Sequence, residues 1–422
     1  MKLISTNRVF AFFALFALCF IIFALRRPEI ITNPQFWAED GAVWYSQAYN
    51  MGPIKSLLLP QNGYYQTISK LVASASLILP LDVAPLFYNL IGISIRIFVI
   101  MFLLSSRMDR YPLAGRLVLA LFLLLMPHID EVHANLTNSH WYLSMWLFMV
   151  IIGKEAEGVY WKAHDYALLI ISGLSGPFIV FLAPVLMLKI ISGNESWTVR
   201  SIVELIKRNI NFFNVIFSII CIVQMAAILT SSGDGRSHAP LGASLNTLFS
   251  ILSTRVFVGF IISQHSTVAM WDMHILNAVV SLIGIATIVY VFVKGDWRVK
   301  SMVIYPVLML GFALARPQIH MELPQWPRMQ FGSGQRYFVT TDIFWMTILL
   351  VLAWWVKGAF SKIVTSLLAV IIIVSGIAGF HLQKLPNQDW VNEVNRFNHA
   401  KPGDELKLKI NPNRWTVYLI KK

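Results

Sequence analysis

The chain has 422 residues, of which 57% are hydrophobic and 13% charged, against about 25% charged in soluble globular proteins. At a mean hydropathy of +0.64 the apolar residues exceed what a compact core can hide, which excludes a water-soluble fold and leaves a bilayer as the second solvent. The net charge of +13 lies on short loops between apolar runs, where it encodes topology rather than nucleic-acid binding; Cys19 and Cys221, both inside apolar runs, cannot make a disulfide framework or a thiolate metal site.

The first run, Val9 to Leu25, follows Lys2 and Arg8, leads into Arg26-Arg27-Pro28 and has no small-residue cleavage site, so it reads as a retained span. Ten further spans are expected at 83–104, 111–127, 140–153, 164–174, 177–191, 211–229, 274–293, 298–315, 340–356 and 361–380, giving about eleven. Gly176-Pro177 separates two of these, taken as a tight pair; a single kinked helix is the alternative and would reverse every later loop. With the N-terminus inside, the short basic loops at Arg107/Arg110/Arg116, Lys154/Lys162, Lys189 to Arg208, Lys294/Arg298/Lys300 and Lys357/Lys362 all fall inside. The other face then carries 26–82, 128–139, 230–273 and 316–339. Tyr64 to Pro80 is apolar but contains Lys70, and is placed as a helix lying at the outer interface.

Beyond an all-α transmembrane domain at 1–380, the tail 381–422 changes character. Leu406 to Ile410 alternates, Asn411-Pro412-Asn413 follows as a turn, and Trp415 to Ile420 is a second extended run, which predicts a small β-hairpin on the outer surface.

Polar residues in such a chain stand out. Glu39 and Asp40 follow the first span in Phe36-Trp37-Ala38-Glu39-Asp40-Gly41, where one carboxylate could face a cleft while a cation orients the other; a solvated acid pair is the bland alternative. The next outer loop holds Asp130 and Glu131 among His128, His133, Asn135, Asn138, His140 and Trp141. Histidine spacings of five and seven residues do not match a helical zinc pair. Sugar binding suits these residues better: amide and imidazole groups bridge hydroxyls, and Trp141 offers a flat face. Asn135 and Asn138 could equally cap the following helix. Arg236, Arg255, Arg316, Arg328 and Arg336 fall on the outer side, against the orientation rule. A phosphate ligand explains them as a set, with Gly332 and Gly334 letting backbone N–H groups approach the same anion; headgroup contact or pairing with Glu322 and Asp342 is the alternative. Arg96, mid-span, needs a partner or a wet cavity, and reads as structural; Asn89 shares its helical face.

Acids in the first two outer loops, many spans and late outer arginines together resemble the GT-C superfamily of membrane glycosyltransferases. Trp37 to Gly41, Gly63-Tyr64, Asn138 to Trp141, Leu174 to Pro177, Arg336 to Phe338 and Pro412 to Trp415 are similar to elements of bacterial and phage serotype-converting O-antigen glucosyltransferases. The resemblance implies an undecaprenyl-phosphate-linked sugar donor, with glucose as the sugar, and a lipid-linked or lipopolysaccharide glycan acceptor. It also implies an inverting transfer on the periplasmic side of a bacterial inner membrane, with a flippase and a donor-synthesising transferase as partners. By it, Asp40 is favoured over Glu39 as general base, Asp130 or Glu131 orients a substrate, Arg236, Arg328, Arg336 or Arg316 meets the donor phosphate, and Trp37, Tyr64, His133, Asn135, Asn138, His140 and Trp141 meet sugar. No metal-ligand set is obvious in the sequence, so metal-independent transfer is expected. A surface-polysaccharide polymerase or ligase, and a lipid-linked sugar flippase, are the competing readings.

Overall fold

A computed structural model describes residues 6–193, 198–231, 237–330 and 332–422. Each predicted span is helical. In chain order they are α1 (Thr6–Arg26), α2 (Ala84–Leu104), α3 (Leu113–Leu125), α4 (Ser139–Ile152), α5 (Gly158–Gly173), α6 (Phe178–Ile191), α7 (Phe212–Thr230), α8 (His274–Lys294), α9 (Trp297–Ala315), α10 (Val339–Val356) and α11 (Gly358–Ala378). Seven of these segments, α1, α2 and α7 to α11, are long and apolar enough to cross a membrane, which makes the chain a multi-pass membrane protein.

The count of about eleven spans is not reproduced. Helices α3 to α6 have 13 to 16 residues, which cover only about 20 to 24 Å at 1.5 Å per residue. The missing length is taken up by irregular backbone: 126–138 lies almost wholly buried between the end of α3 and the start of α4. Such backbone is tolerated at membrane depth only where protein satisfies its polar groups. Arg96 does much of that here. Its guanidinium donates to the carbonyls of Gly92 at 2.6 Å, Val132 at 2.5 Å and Asn135 at 3.1 Å and to Ser139 Oγ at 3.2 Å, and it lies over the Tyr142 ring. The arginine is structural, as its isolation implied, and Asn89 likewise donates to Ile30 O at 2.9 Å.

At Gly176-Pro177 the helix breaks rather than kinks. Gly176 takes φ +92°, open to glycine and strained for other residues, and its N–H reaches Tyr65 O at 2.8 Å. Gln224 of α7 seals the break by donating to Gly173 O and Gly176 O, each at 3.0 Å.

The basic loops gather at one end. Arg107 pairs with Asp165 at 2.8 Å, Lys154 with Asp109 at 2.6 Å, and Arg298 Nε donates to Ile152 O at 3.2 Å. The segment placed at the outer interface holds a ten-residue helix, Thr67–Ser76, too short to cross. Its Lys70 is buried, with Nζ on Ser56 O at 2.8 Å and on Leu59 O; burial pushes that ammonium down to about 8.

The C-terminal hairpin pairs β1 (Glu405–Ile410) antiparallel with β2 (Trp415–Ile420), Glu405 opposite Ile420 and Ile410 opposite Trp415. Leu408, Ile410, Val417 and Leu419 point inward and are fully buried. A helix that the sequence reading omits, Trp390–Asn398, precedes it. The tail packs on the first outer segment instead of hanging free. Ala38 N–H donates to Asn411 O at 2.5 Å, Asn411 N–H to Phe36 O at 3.1 Å, and Phe36 meets Trp390 edge-on. Gly41 permits the contact: a Cβ there would lie 2.6 Å from Val417 Cγ2.

Candidate active site

At the end opposite the basic loops a cavity of about 950 Å³ opens between the first outer segment, the 126–138 loop, the loop before α10 and the tail. Ala38 sits at φ +44°, held by Asn411, and turns the chain into a short helix beginning at Asp40. Neighbouring residues on a helix do not share a face. Glu39 therefore borders the cavity, while Asp40 turns into the protein and is 1% exposed. Asp40 Oδ2 accepts the Leu136 N–H at 3.0 Å.

Of the two adjacent acids, Glu39 and not Asp40, the one the resemblance favours as base, borders the cavity. Burial raises the Asp40 carboxyl well above its usual range, with Glu39 adding to the rise and the Leu136 N–H opposing it. Glu39 is also raised by burial, and the Arg336 guanidinium pulls it back down.

Asp130 and Glu131 both border the cavity, each beside an arginine. Arg27 reaches Asp130 Oδ1 at 3.1 Å, and the Gln383 N–H reaches the same oxygen at 2.7 Å. Arg336 donates to Glu131 Oε1 and to Gln318 O at 2.7 Å, leaving Glu131 Oε2 without a partner. Two mixed-charge pairs thus stand in one cavity with the Glu39 carboxylate. Among the described residues, no three His, Cys, Asp or Glu side chains converge as a metal-ligand set.

Of the four arginines assigned to phosphate, Arg336 borders the cavity. Arg316 ends α9 and Arg328 sits in the following loop, both exposed and both off the cavity wall; Arg236 lies outside the described residues. Arg255 is buried, holding the carbonyls of Met329 at 3.1 Å and Gln330 at 2.8 Å. It shapes the loop that carries Gly332 and Gly334, which border the cavity with φ +100° and +64°.

The sugar candidates divide similarly. Trp37, Tyr64, Asn138, His140 and Trp141 border the cavity. His140 stacks on Phe178 at 5.3 Å, and Trp141 meets Phe178 at 4.5 Å and Tyr337 at 6.1 Å. His133 and Asn135 do not border it. His133 is buried with Nε2 3.1 Å from Phe23 O, and burial with Arg26, Arg27 and Arg96 nearby drives it well below the usual histidine range. Asn135 serves the loop: its Oδ1 accepts the Asn138 N–H at 3.2 Å and its Nδ2 donates to Glu131 O at 2.6 Å. Its position four residues before the start of α4 explains why capping competes with ligand binding there; Asn138 itself makes no side-chain cap bond.

Arg27, Trp44 and the tail residues Pro412, Asn413 and Trp415 also border the cavity and were absent from the sequence-based set. Arg27 carried a signal, since a basic residue past the outer end of a span runs against the orientation rule just as the late arginines do. The tail's Pro412 to Trp415 entered only as an element of the resemblance, because its place at the site depends on packing over 300 residues of sequence separation.

By sequence, no family model and no curated protein matches the chain. Among solved structures, it is similar to the archaeal oligosaccharyltransferase AglB from Archaeoglobus fulgidus in complex with an inhibitory peptide and a dolichol-phosphate, at TM-score 0.48 and 11% identity. That match covers 94% of this chain and 59% of the archaeal one. It is likewise similar to the A. fulgidus enzyme tethered to an acceptor peptide, at TM-score 0.47 and 11% identity over 93% and 58% of the two chains. The chain therefore spans less than three-fifths of the length of these oligosaccharyltransferases.

Proposed function

We propose that the protein is a GT-C-type glycosyltransferase that moves a sugar from a polyprenyl-phosphate donor to a glycan acceptor at the outer membrane face. The observation that carries this reading is the cavity itself: a carboxylate, two arginine–carboxylate pairs and several aromatic side chains face one space at the end of the molecule away from the basic loops.

A lipid-phosphate leaving group needs help on two sides. Glu39 takes the proton of the acceptor hydroxyl as its oxygen forms a bond to the anomeric carbon. As the bond from that carbon to the phosphate oxygen breaks, Arg336 stabilises the charge that develops, with the N–H groups of the Gly332–Gly334 loop as further donors. Arg336 holds Glu131 in the resting state and exchanges part of that contact for phosphate. A single displacement inverts the anomeric centre. Trp37, Tyr64 and Trp141 supply flat faces for sugar rings, and Asp40 positions Glu39 by anchoring its segment to Leu136. Location in a bacterial inner membrane with the site facing the periplasm, glucose as the sugar and O-antigen as the acceptor follow the sequence resemblance.

The test compares surface-glycan composition by mass spectrometry in cells with and without the gene. One added hexose per repeat supports branching transfer, shortened chains favour a polymerase, and identical glycans reject both. Transport through the bundle lacks support from Arg96, whose two terminal nitrogens bond the protein's own carbonyls.

A further inference from the structure

A second cavity, of about 410 Å³, lies among α2, α3, α4, α10 and α11 at the ends of these helices that carry the basic loops. Its volume is in the range of ligand pockets, roughly 300 to 1,000 Å³. Along α10 it runs from Trp354 to Ile343, eleven residues or about 16 Å deep. The shaft is apolar, with Leu123, Phe148 and Leu350 among its walls, while the mouth is basic, formed by Arg116 and Lys362 with Tyr111 and Ser361. Among the described residues lining it there is no acid.

Among the described residues, two polar groups at the mouth find no hydrogen-bond partner. Arg116 is 9% exposed; its Nη1 is spent on the carbonyls ending α2, at 2.9 Å from Ser105 O and 3.2 Å from Leu104 O, but Nε has nothing to bond. Tyr111 Oη is also buried without a partner. Asp296, the acid close to Tyr111, is occupied by Arg298 at 3.7 Å. An unpaired buried donor costs about 1 to 3 kcal/mol, so a ligand with anionic oxygens at the mouth and an apolar body fits both ends of the space.

We propose that this cavity binds one acyl chain of an anionic phospholipid from the leaflet on the basic-loop side, with its phosphate held by Arg116, Lys362 and Tyr111. Location at membrane depth supplies the lipid. The absence of any acid at a doubly basic mouth selects an anionic headgroup over a zwitterionic one. The site is separate from the catalytic cavity at the other ends of the same helices, and the proposal does not depend on the glycosyl-transfer reading.

The experiment is native mass spectrometry of the full chain in neutral detergent, titrated with dioleoylphosphatidylglycerol or dioleoylphosphatidylcholine. The wild type is expected to retain one phosphatidylglycerol at least tenfold more tightly than phosphatidylcholine. Removing Arg116 would also uncap α2, so two other variants serve. Lys362→Glu is expected to erase the preference between the two lipids. Gly115→Phe fills the cavity from a helix position where an added Cβ meets nothing within 4 Å, and is expected to abolish retention with no fall in melting temperature. Equal retention of the two lipids by the wild type, or undiminished phosphatidylglycerol binding by Gly115→Phe, overturns the proposal.

Discussion

The two adjacent acids of the first outer segment meet different surroundings because a helix start sends them in different directions. Glu39→Gln is expected to lower transfer by about 100-fold or more, the scale of a lost general base, with unchanged membrane abundance. Since burial raises the Glu39 carboxyl, the acid limb of kcat/KM should lie above the ordinary glutamate value of about 4.3. Asp40→Asn is the contrast: a buried carboxyl raised well above its usual range is protonated over more of the pH scale, and an amide replaces it with similar shape. A folded pKa above the unfolded value of about 3.9 means that stability is fully present below that value and is lost as pH rises through the folded one. Melting curves should therefore show wild type losing stability relative to Asp40→Asn across that window; parallel pH profiles would refute a raised Asp40. Arg336→Ala is expected to cost about 100-fold in kcat/KM, as for a lost oxyanion donor. Arg336→Lys should restore little of it, because an ammonium lacks the planar fork.

Among the elements, the hairpin and the first outer segment form one unit. Gly41 gives room for Val417, so Gly41→Leu is an overpacking change expected to cost about 1 to 3 kcal/mol. It should lower the melting temperature and reduce transfer together, since the displaced backbone carries Glu39. Gly176 is a different case: its φ of +92° makes Gly176→Ala cost about 1 to 3 kcal/mol through backbone strain. A Cβ there would also approach His140 Cδ2 at 3.2 Å. Thermal melts in detergent measure both changes. The hairpin itself was legible, as Leu406 to Ile410 and Trp415 to Ile420 alternate around a proline turn. Its docking was not, because the bonds from Ala38 to Asn411 and from Asn411 to Phe36 are made by backbone atoms, which every residue type has.

Over the whole molecule, a chain ending before the tail should still insert its long apolar helices, because their burial in lipid does not involve the hairpin. It is expected to lose transfer, since Asn413 and Trp415 border the cavity and Asn411 holds Ala38. Carbonate extraction of membranes, paired with the glycan assay, checks both outcomes. The sequence by itself determined the solvent, the positions of the long apolar helices, the loops in which basic residues collect and the two acidic pairs. Those properties are set by local composition and by periods of 3.6 or two residues. Tertiary structure decided which acid meets the cavity, which arginine joins it, and that Arg316, Arg328, His133 and Asn135 stand elsewhere. It also ended α3 at Leu125, where the buried 126–138 loop, its carbonyls partly satisfied by Arg96, replaces helix. Side-chain direction and distance-separated packing have no periodic signature in a single chain, so only the assembled helices could fix them.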